Sequence, residues 1–289
     1  MRILILGGSG LIGHKLWHVF NQQFDDVWVG LHRDREAYAK YKIFDSEKVI
    51  YNLDVSQTEQ LIGALKAVNP DVVLNCVGIT KRKEEIKDIA YALRVNSLYP
   101  HLLAKWVREN GKRMIHFSTD CVFNGALGDY TEESPTTAED TYGKTKAMGE
   151  VQYEGTLTIR SSFIGRELEG KTELLEWFLA QRGKKIKGFH KAMYSGVSTT
   201  FMANTVADII LNHPQLSGLY QLTSPQAISK FDLLHLAAKA FKMEVEIMPD
   251  SDFVNINTLN GSKLHAILGY QPPSWEEMLA QLASETLYD

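Results

Sequence analysis

Short apolar runs alternate with longer amphipathic stretches through the first 160 positions of the chain. The runs fall at 2–6, 27–31, 49–53, 72–77, 113–117 and 157–161. They are mostly apolar along their length rather than alternating in polarity, the pattern of strands buried on both faces. Between them, 11–22, 58–68, 86–110 and 141–153 carry helical periodicity. Strand–helix alternation predicts an α/β fold, a Rossmann-like doubly wound parallel sheet. After residue 162 the rhythm changes. A helix is expected at 174–181, then a basic glycine-flanked segment at 183–188 and a loop at 194–200. A helix near 202–211, a strand at 219–223 and a helix at 230–241 follow. The last helix, 276–285, begins behind Ser274 as N-cap. The expected division is an NAD(P)-binding Rossmann domain at 1–162 plus about 197–224, and a smaller, discontinuous substrate-binding lobe at 163–196 and 225–289.

Composition narrows the class. Of 289 residues, 44% are hydrophobic and 23% charged, an ordinary globular mix. The net charge of −4 argues against nucleic-acid binding by bulk charge. Cys76 and Cys121 are far apart and outside any CxxC spacing, so free thiols are expected. No stretch approaches the roughly 20 apolar residues that span a bilayer, and MRILILGGSG does not read as a signal peptide. A cytoplasmic protein without membrane insertion is expected.

The first run ends in Gly7-Gly8-Ser9-Gly10-Leu11-Ile12-Gly13. A strand, a glycine triad and a helix in that order suit a dinucleotide. Gly7 permits the tight turn, Gly10 removes a Cβ where the pyrophosphate approaches, and Gly13 lets the helix pack on the strand. The helix N-terminus then offers N–H groups to the phosphates. A glycine-rich turn without a ligand is the plainer alternative. An NAD enzyme carries an acid about 20 residues past the glycines. Here that position holds Arg33, within Leu31-His32-Arg33-Asp34-Arg35. A guanidinium there pairs with a 2′-phosphate, so NADPH is expected over NADH. A solvated arginine is the alternative, and Asp34 beside it counts the other way. Asp54 stands where a carboxylate meets the adenine amino group, or else caps the turn at Ser56-Gln57. Leu11, Ile12, Val55, Val77 and Gly78 complete the residues expected along the cofactor.

Tyr142 and Lys146 lie four apart, on one face of a predicted helix. An ammonium beside a phenol stabilises phenolate and lowers the tyrosine pKa from about 10. The tyrosine then serves as an acid or base at neutral pH, and the same lysine can hold the nicotinamide ribose. An exposed amphipathic face is the alternative. Thr119 follows the fifth run, at the carboxyl edge of the predicted sheet. Its hydroxyl can polarise a substrate carbonyl or bond nearby backbone.

Together the glycine loop, Ser118-Thr119-Asp120-Cys121-Val122-Phe123-Asn124-Gly125, Tyr130-Thr131-Glu132-Glu133-Ser134-Pro135 and Tyr142-Gly143-Lys144-Thr145-Lys146-Ala147-Met148-Gly149-Glu150 resemble an extended short-chain dehydrogenase/reductase. Within that superfamily the chain is similar to the dTDP-4-dehydrorhamnose reductases and related nucleotide-sugar 4-ketoreductases. Ile159–Phe163, Ser195–Thr200, Gly218-Leu219-Tyr220 and Pro272-Pro273-Ser274-Trp275 look like later landmarks of the family. The resemblance implies a catalytic triad of Thr119, Tyr142 and Lys146. It also implies NADPH as hydride source and a nucleotide-linked 4-keto-6-deoxy sugar as substrate, for surface polysaccharide precursors. Cys121 stands where the family usually has tyrosine, and 165–170 departs from the usual segment. A UDP-2-acetamido-2,6-dideoxy-4-ulose is therefore a candidate beside dTDP-4-dehydrorhamnose. Related 4,6-dehydratases carry Asp-Glu after the threonine; Cys121 in place of the Glu argues against dehydration. A 4-epimerase with tightly bound NAD and a non-catalytic regulatory subunit are the alternatives, and a homodimer is entertained as the assembly.

Other features invite plainer readings. Lys81-Arg82-Lys83 could reach a diphosphate, but a solvated helix start is the simpler expectation; Lys184, Lys185 and Lys187 are read with the same caution. His14 and His18 lack the third ligand and the glutamate of a zinc motif, so no metal is expected. Trp177 and Phe178 are expected in the core, and Cys121 as a small packing residue beside the active site.

Overall fold

The apolar runs form strands because their β-branched and leucine side chains fill both faces of a central sheet. In the computed structural model, which describes residues 1–170 and 172–288, the first half alternates as β1 (Ile3–Leu6), α1 (Gly13–Gln23), β2 (Val27–Gly30), α2 (Arg35–Tyr38), β3 (Val49–Ile50), α3 (Thr58–Val68), β4 (Val72–Asn75), α4 (Ile89–Leu93), α5 (Tyr99–Glu109), β5 (Arg113–Thr119), α6 (Thr141–Met148) and β6 (Thr156–Ser161). Next come β7 (Phe163–Ile164), α7 (Leu174–Leu179), β8 (Lys185–Tyr194), β9 (Val197–Ser198), α8 (Thr199–Asn212) and β10 (Gly218–Gln221). The chain ends with β11 (Ile228–Ser229), α9 (Lys230–Ala240), β12 (Glu246–Ile256), α10 (Ser262–Leu268) and α11 (Trp275–Ala283). Seven strands make one sheet in the order β10-β6-β5-β4-β1-β2-β3. The pairs β1/β2, β1/β4, β2/β3 and β4/β5 are parallel. This is the doubly wound order extended by one strand. A core of Leu4, Leu6, Val73 and Met114 from the sheet packs on Leu61, Leu65, Leu103 and Val107 from the helices.

The chain divides into two compact units. One is Met1–Ser118, Asp140–Ile159 and Ala203–Leu219; the other is Thr119–Glu139, Arg160–Met202 and Tyr220–Asp289. The expected division kept 119–139 in the Rossmann domain and returned 197–224 to it. The boundaries differ for identifiable reasons. In the first unit the half-buried Arg113 guanidinium donates to the carbonyls of Ile209, His213 and Leu216, tying the end of α8 to β5. In the second unit Tyr130 stacks on Phe123 at 4.0 Å, and its backbone bonds Thr258, Asn260 and Gln221. The 119–139 segment thus belongs with the C-terminal part of the chain.

Two stretches differ from the periodicity reading. The expected 86–110 helix begins as a 3₁₀ turn, continues as α4, loosens into a π-helical turn over Arg94–Leu98, and resumes as α5. The basic segment at 183–188 lies mostly in a strand. β8 forms a small sheet with β11 and β12, in which Lys185 pairs with Glu246 and Lys187 with Asp250. Alternating charge on two paired strands gave no helical signal and only a weak apolar one. No helix among the described residues is long and apolar enough to cross a membrane.

The C-terminal helix α11 opens with a capping box. Glu277 N donates to Ser274 Oγ at 3.2 Å, and Ser274 N donates to Glu277 Oε2 at 2.7 Å. Ser274→Ala should cost about 1 kcal/mol of stability, read as a lowered thermal midpoint, with Ser274→Asp recovering most of it. An unchanged midpoint in the alanine variant would show that packing alone holds this helix.

Candidate active site

The glycine loop closes tightly on itself. Gly7 has φ +82°, a conformation other residues rarely adopt. Gly10 N donates to Gly7 O at 3.2 Å. A Cβ on Gly13 would lie 2.1 Å from that same oxygen, so α1 starts against the end of β1 only with glycine there. A Cβ on Gly10 would meet nothing nearer than 3.5 Å, and Gly10 is exposed, so its backbone is open to an incoming group. Leu11 and Ile12, half-buried, lead into α1. His14 is fully buried and burial holds its imidazole down to about 4. The neutral ring therefore donates Nδ1–H to Gly10 O at 2.7 Å, bracing the loop from inside. Neither His14 nor His18 joins a metal cluster; no group of three such ligands occurs among the described residues.

Arg33 lies past the end of β2, and its carbonyl accepts Asn52 N beside the exit of β3. Its guanidinium rests 4.8 Å from the centre of the Tyr38 ring, and the Tyr38 hydroxyl donates to Ser9 Oγ at 3.3 Å. The cation is thereby held next to the glycine loop. Asp34 caps α2, accepting from Ala37 N at 2.9 Å, so its carboxylate is engaged in the helix start. Asp54 takes Ser56 N on Oδ1 at 2.9 Å, the turn-capping role. Val55 lines an open groove of about 580 Å³ together with Gln57, Arg94 and Leu98. A glycine loop with open backbone, its helix N-terminus and a nearby guanidinium fit a dinucleotide carrying a 2′-phosphate.

Gly7, Val77, Gly78 and Lys146 come together. A Cβ on Gly7 would touch Val77 at 3.0 Å, and one on Gly78 would come within 3.9 Å of Lys146 Nζ. Lys146 is 5% exposed and donates to Phe117 O at 2.7 Å. Burial pushes its ammonium down to about 8, and the nearby Glu150 carboxylate works in the opposite direction. Glu150 is itself held by Ser118 Oγ at 2.7 Å. Tyr142, half-buried, lies one turn earlier on α6. Asp140 caps that helix through Gly143 N at 2.7 Å and pairs with Lys81 at 2.7 Å. Lys81 is thus tied to the N-cap of α6, a contact neither of its two readings anticipated. Thr119 ends β5 and opens the second unit, where it bonds Asp120 and the Cys121 N–H. Phe178 is core, whereas Trp177 is 36% exposed, against expectation: only one face of α7 is covered.

Asn96 was invisible to spacing and proves central to the first unit. Its side chain accepts from Ile79 N at 2.8 Å and donates to Ile79 O and Thr145 Oγ1. It thus fixes the β4 exit, which carries Gly78, to the helix that carries Lys146. Gly149 closes the same joint, since a Cβ there would lie 1.9 Å from Asn96 O. Only the fold reveals the π-helical turn around Asn96 that breaks the expected i,i+4 ladder.

Residues 1–287 match the family model "RmlD substrate binding domain". The chain belongs to this family. It is similar to a probable dTDP-4,6-dihydroxy-2-methyloxan-3-one 4-ketoreductase of Streptomyces antibioticus, 32% identical over 152 residues. That match spans 52% of this chain and 45% of the relative, less than half of the latter's length. It is also similar to methionine adenosyltransferase 2 subunit beta of Danio rerio, 23% identical over 257 residues, 84% of this chain and 74% of that one. Among solved structures, dTDP-4-dehydrorhamnose reductase from Bacillus anthracis str. Ames, in complex with NADP, superposes with a TM-score of 0.79 at 20% identity, covering 97% and 98% of the two chains. At that identity the likeness is one of fold, and it carries the Rossmann-like RmlD architecture across the whole chain.

A buried ammonium is costly, and Lys146 carries a testable signature of that cost. Its value is 10.5 when unperturbed and about 8 here. Between those two values the unfolded chain binds more protons, so stability rises as pH climbs through the window. Lys146→Met should therefore be more stable than wild type at pH 7, by about 1–3 kcal/mol, with the gap closing between about pH 8 and 10.5. Urea midpoints at pH 7 and pH 10 measure this. A variant less stable at both would mean the Phe117 hydrogen bond outweighs the desolvation.

Proposed function

We propose that this RmlD-family chain is an NADPH-dependent oxidoreductase. It reduces the C4 keto group of a nucleotide-linked 4-keto-6-deoxy sugar, with dTDP-4-dehydrorhamnose and a UDP-2-acetamido-2,6-dideoxy-4-ulose as the leading candidates. The observation that carries the reading is the buried Lys146 ammonium, beside Gly78 and one helical turn from Tyr142. When bound, NADPH supplies the hydride that goes to C4. Gly7, Gly10, Leu11, Ile12 and Gly13 hold its pyrophosphate, Arg33 its 2′-phosphate, Asp54 and Val55 its adenine end, and Val77 and Gly78 line the path to Lys146. Tyr142 delivers the proton to the C4 oxygen. Lys146 favours the tyrosinate that remains and bonds the ribose hydroxyls. Thr119 donates a hydrogen bond to the same oxygen as charge develops on it. The B. anthracis relative's NADP and the S. antibioticus relative's name support this reading. The two free thiols fit a reducing compartment, the cytoplasm.

A second reading, a non-catalytic subunit, is favoured by the likeness to the adenosyltransferase subunit. The presence of both Tyr142 and Lys146 favours the enzyme. A panel of dTDP-, UDP- and GDP-linked 4-keto-6-deoxy sugars, followed by NADPH oxidation, separates the two; no oxidation with any member would remove the reductase. A 4-epimerase would instead arrive with bound NAD and turn over without added cofactor.

Tyr142→Phe should lower kcat by roughly 10²–10⁴-fold while cofactor affinity, followed by fluorescence titration, stays near wild type. Near-normal turnover would remove Tyr142 as the acid. Arg33→Ala should weaken NADPH binding more than NADH binding, because only NADPH carries the 2′-phosphate. Equal losses for the two cofactors would leave Arg33 a bystander packed on Tyr38.

A further inference from the structure

Thr119 has a donor problem that the ketoreduction leaves unsolved. Its Oγ1 accepts the Cys121 N–H at 3.1 Å and donates its one hydrogen to Asp120 Oδ1 at 3.1 Å. A threonine hydroxyl owns one hydrogen and two lone pairs, and an ionised carboxylate only accepts. While Asp120 is ionised, the Thr119 hydrogen is committed inside the chain and none is left for a substrate carbonyl. With a proton on Asp120 the bond reverses. The carboxylic O–H donates to Thr119 Oγ1, whose lone pairs then hold the Asp120 and Cys121 hydrogens. The threonine hydrogen is released for a third partner.

We propose that Asp120 is a positioning residue: in its protonated form it turns Thr119 from a donor within the chain into a donor to the substrate's carbonyl oxygen. The inference rests on the reading of Thr119 as the group that polarises C4. Asp120 keeps its proton throughout the turnover; the proton that ends on the C4 oxygen comes from Tyr142.

The surroundings suit such a role. Asp120 is 8% exposed, and burial pushes its carboxyl above the usual range. Four groups face it. Lys230, at the start of α9, pulls the carboxyl back down, as do the hydrogen bonds from Thr119 and Cys121. Tyr194 on β8 feels the Asp120 charge but is itself held well above its ordinary pKa by burial, so it stays neutral. Burial and Lys230 thus oppose each other across one carboxyl, the arrangement that brings a buried acid into a range where it can switch.

The test follows kcat/KM against pH with NADPH and dTDP-4-dehydrorhamnose as the probe, in wild type, Asp120→Asn, Lys230→Gln and Thr119→Val. Wild type should lose activity in two steps as pH rises, the lower step belonging to Asp120 and the upper to Tyr142. Asp120→Asn donates an amide hydrogen to Thr119 at every pH, so the lower step should vanish. Lys230→Gln removes the cation and should move that step upward by about one pH unit. A merely structural Asp120 would instead lower activity evenly across the range. Thr119→Val should lose roughly 10²-fold, and adding Asp120→Asn to it should change nothing further. Near-normal activity in Thr119→Val would overturn the reading of Thr119 itself. An impaired Thr119→Val together with identical pH steps in wild type and Asp120→Asn would overturn only the switch. Infrared difference spectra give an arm that needs no substrate. Wild type should show a protonated-carboxyl band, absent from Asp120→Asn, that titrates away as pH rises. Its absence at every pH at which the protein stays folded refutes the proposal.

Discussion

The buried ammonium of Lys146 is the constraint around which the first unit is arranged. An uncompensated charge inside a fold would shed its proton or leave. Here one hydrogen bond to Phe117 O and the field of Glu150 hold it in place, with burial still pulling its pKa to about 8. The support reaches outward from there. Ser118 fixes Glu150, Asn96 joins the β4 exit to α6, and Gly149 lets the two helices close to backbone distance. Neighbouring histidine adapts to the same charge. His116, fully buried and bonded to Asn75, is held neutral by burial and by Lys146. A lysine placed this way is poorly screened by water, which is why burial weighs so heavily on its ammonium.

The dinucleotide side follows a different logic, in which backbone does most of the holding. The loop from Gly7 to Gly13 is shaped by close approaches that exclude side chains, and His14 stiffens it by bonding Gly10 O. The neighbouring Gly8 serves packing: a Cβ there would strike Val29 at 2.0 Å. Arg33, whose guanidinium rests on the Tyr38 ring, is the cation nearest that loop's Tyr38–Ser9 contact. Asp34, which by position could have favoured a bare ribose, caps α2 through one oxygen.

The second unit is assembled from three segments that begin near the ends of β5 and β6 and within β10. Within this unit Thr119, Asp120 and Cys121 form a compact hydrogen-bonded turn. The cysteine contributes its backbone N–H to the threonine, a role its side-chain identity does not determine.

Read alone, the sequence determined what depends on near neighbours. The parallel strands, the glycine loop, the Tyr142–Lys146 spacing and the Ser274 cap are each written within a few residues, because burial period, turn geometry and helical repeat are local. Tertiary structure decided what depends on distant partners. Asn96 could not be singled out, since its partners Ile79 and Thr145 lie 17 and 49 positions away. The β8–β12 pairing was hidden because strand charges are neutralised across the sheet rather than along the chain. The 119–139 segment, expected within the Rossmann domain, joins the other unit through Tyr130 bonding Thr258 and Asn260. Asp34 and Asp54 were ambiguous for the same reason: a carboxylate's role is set by which N–H reaches it, and only the folded backbone brings one there.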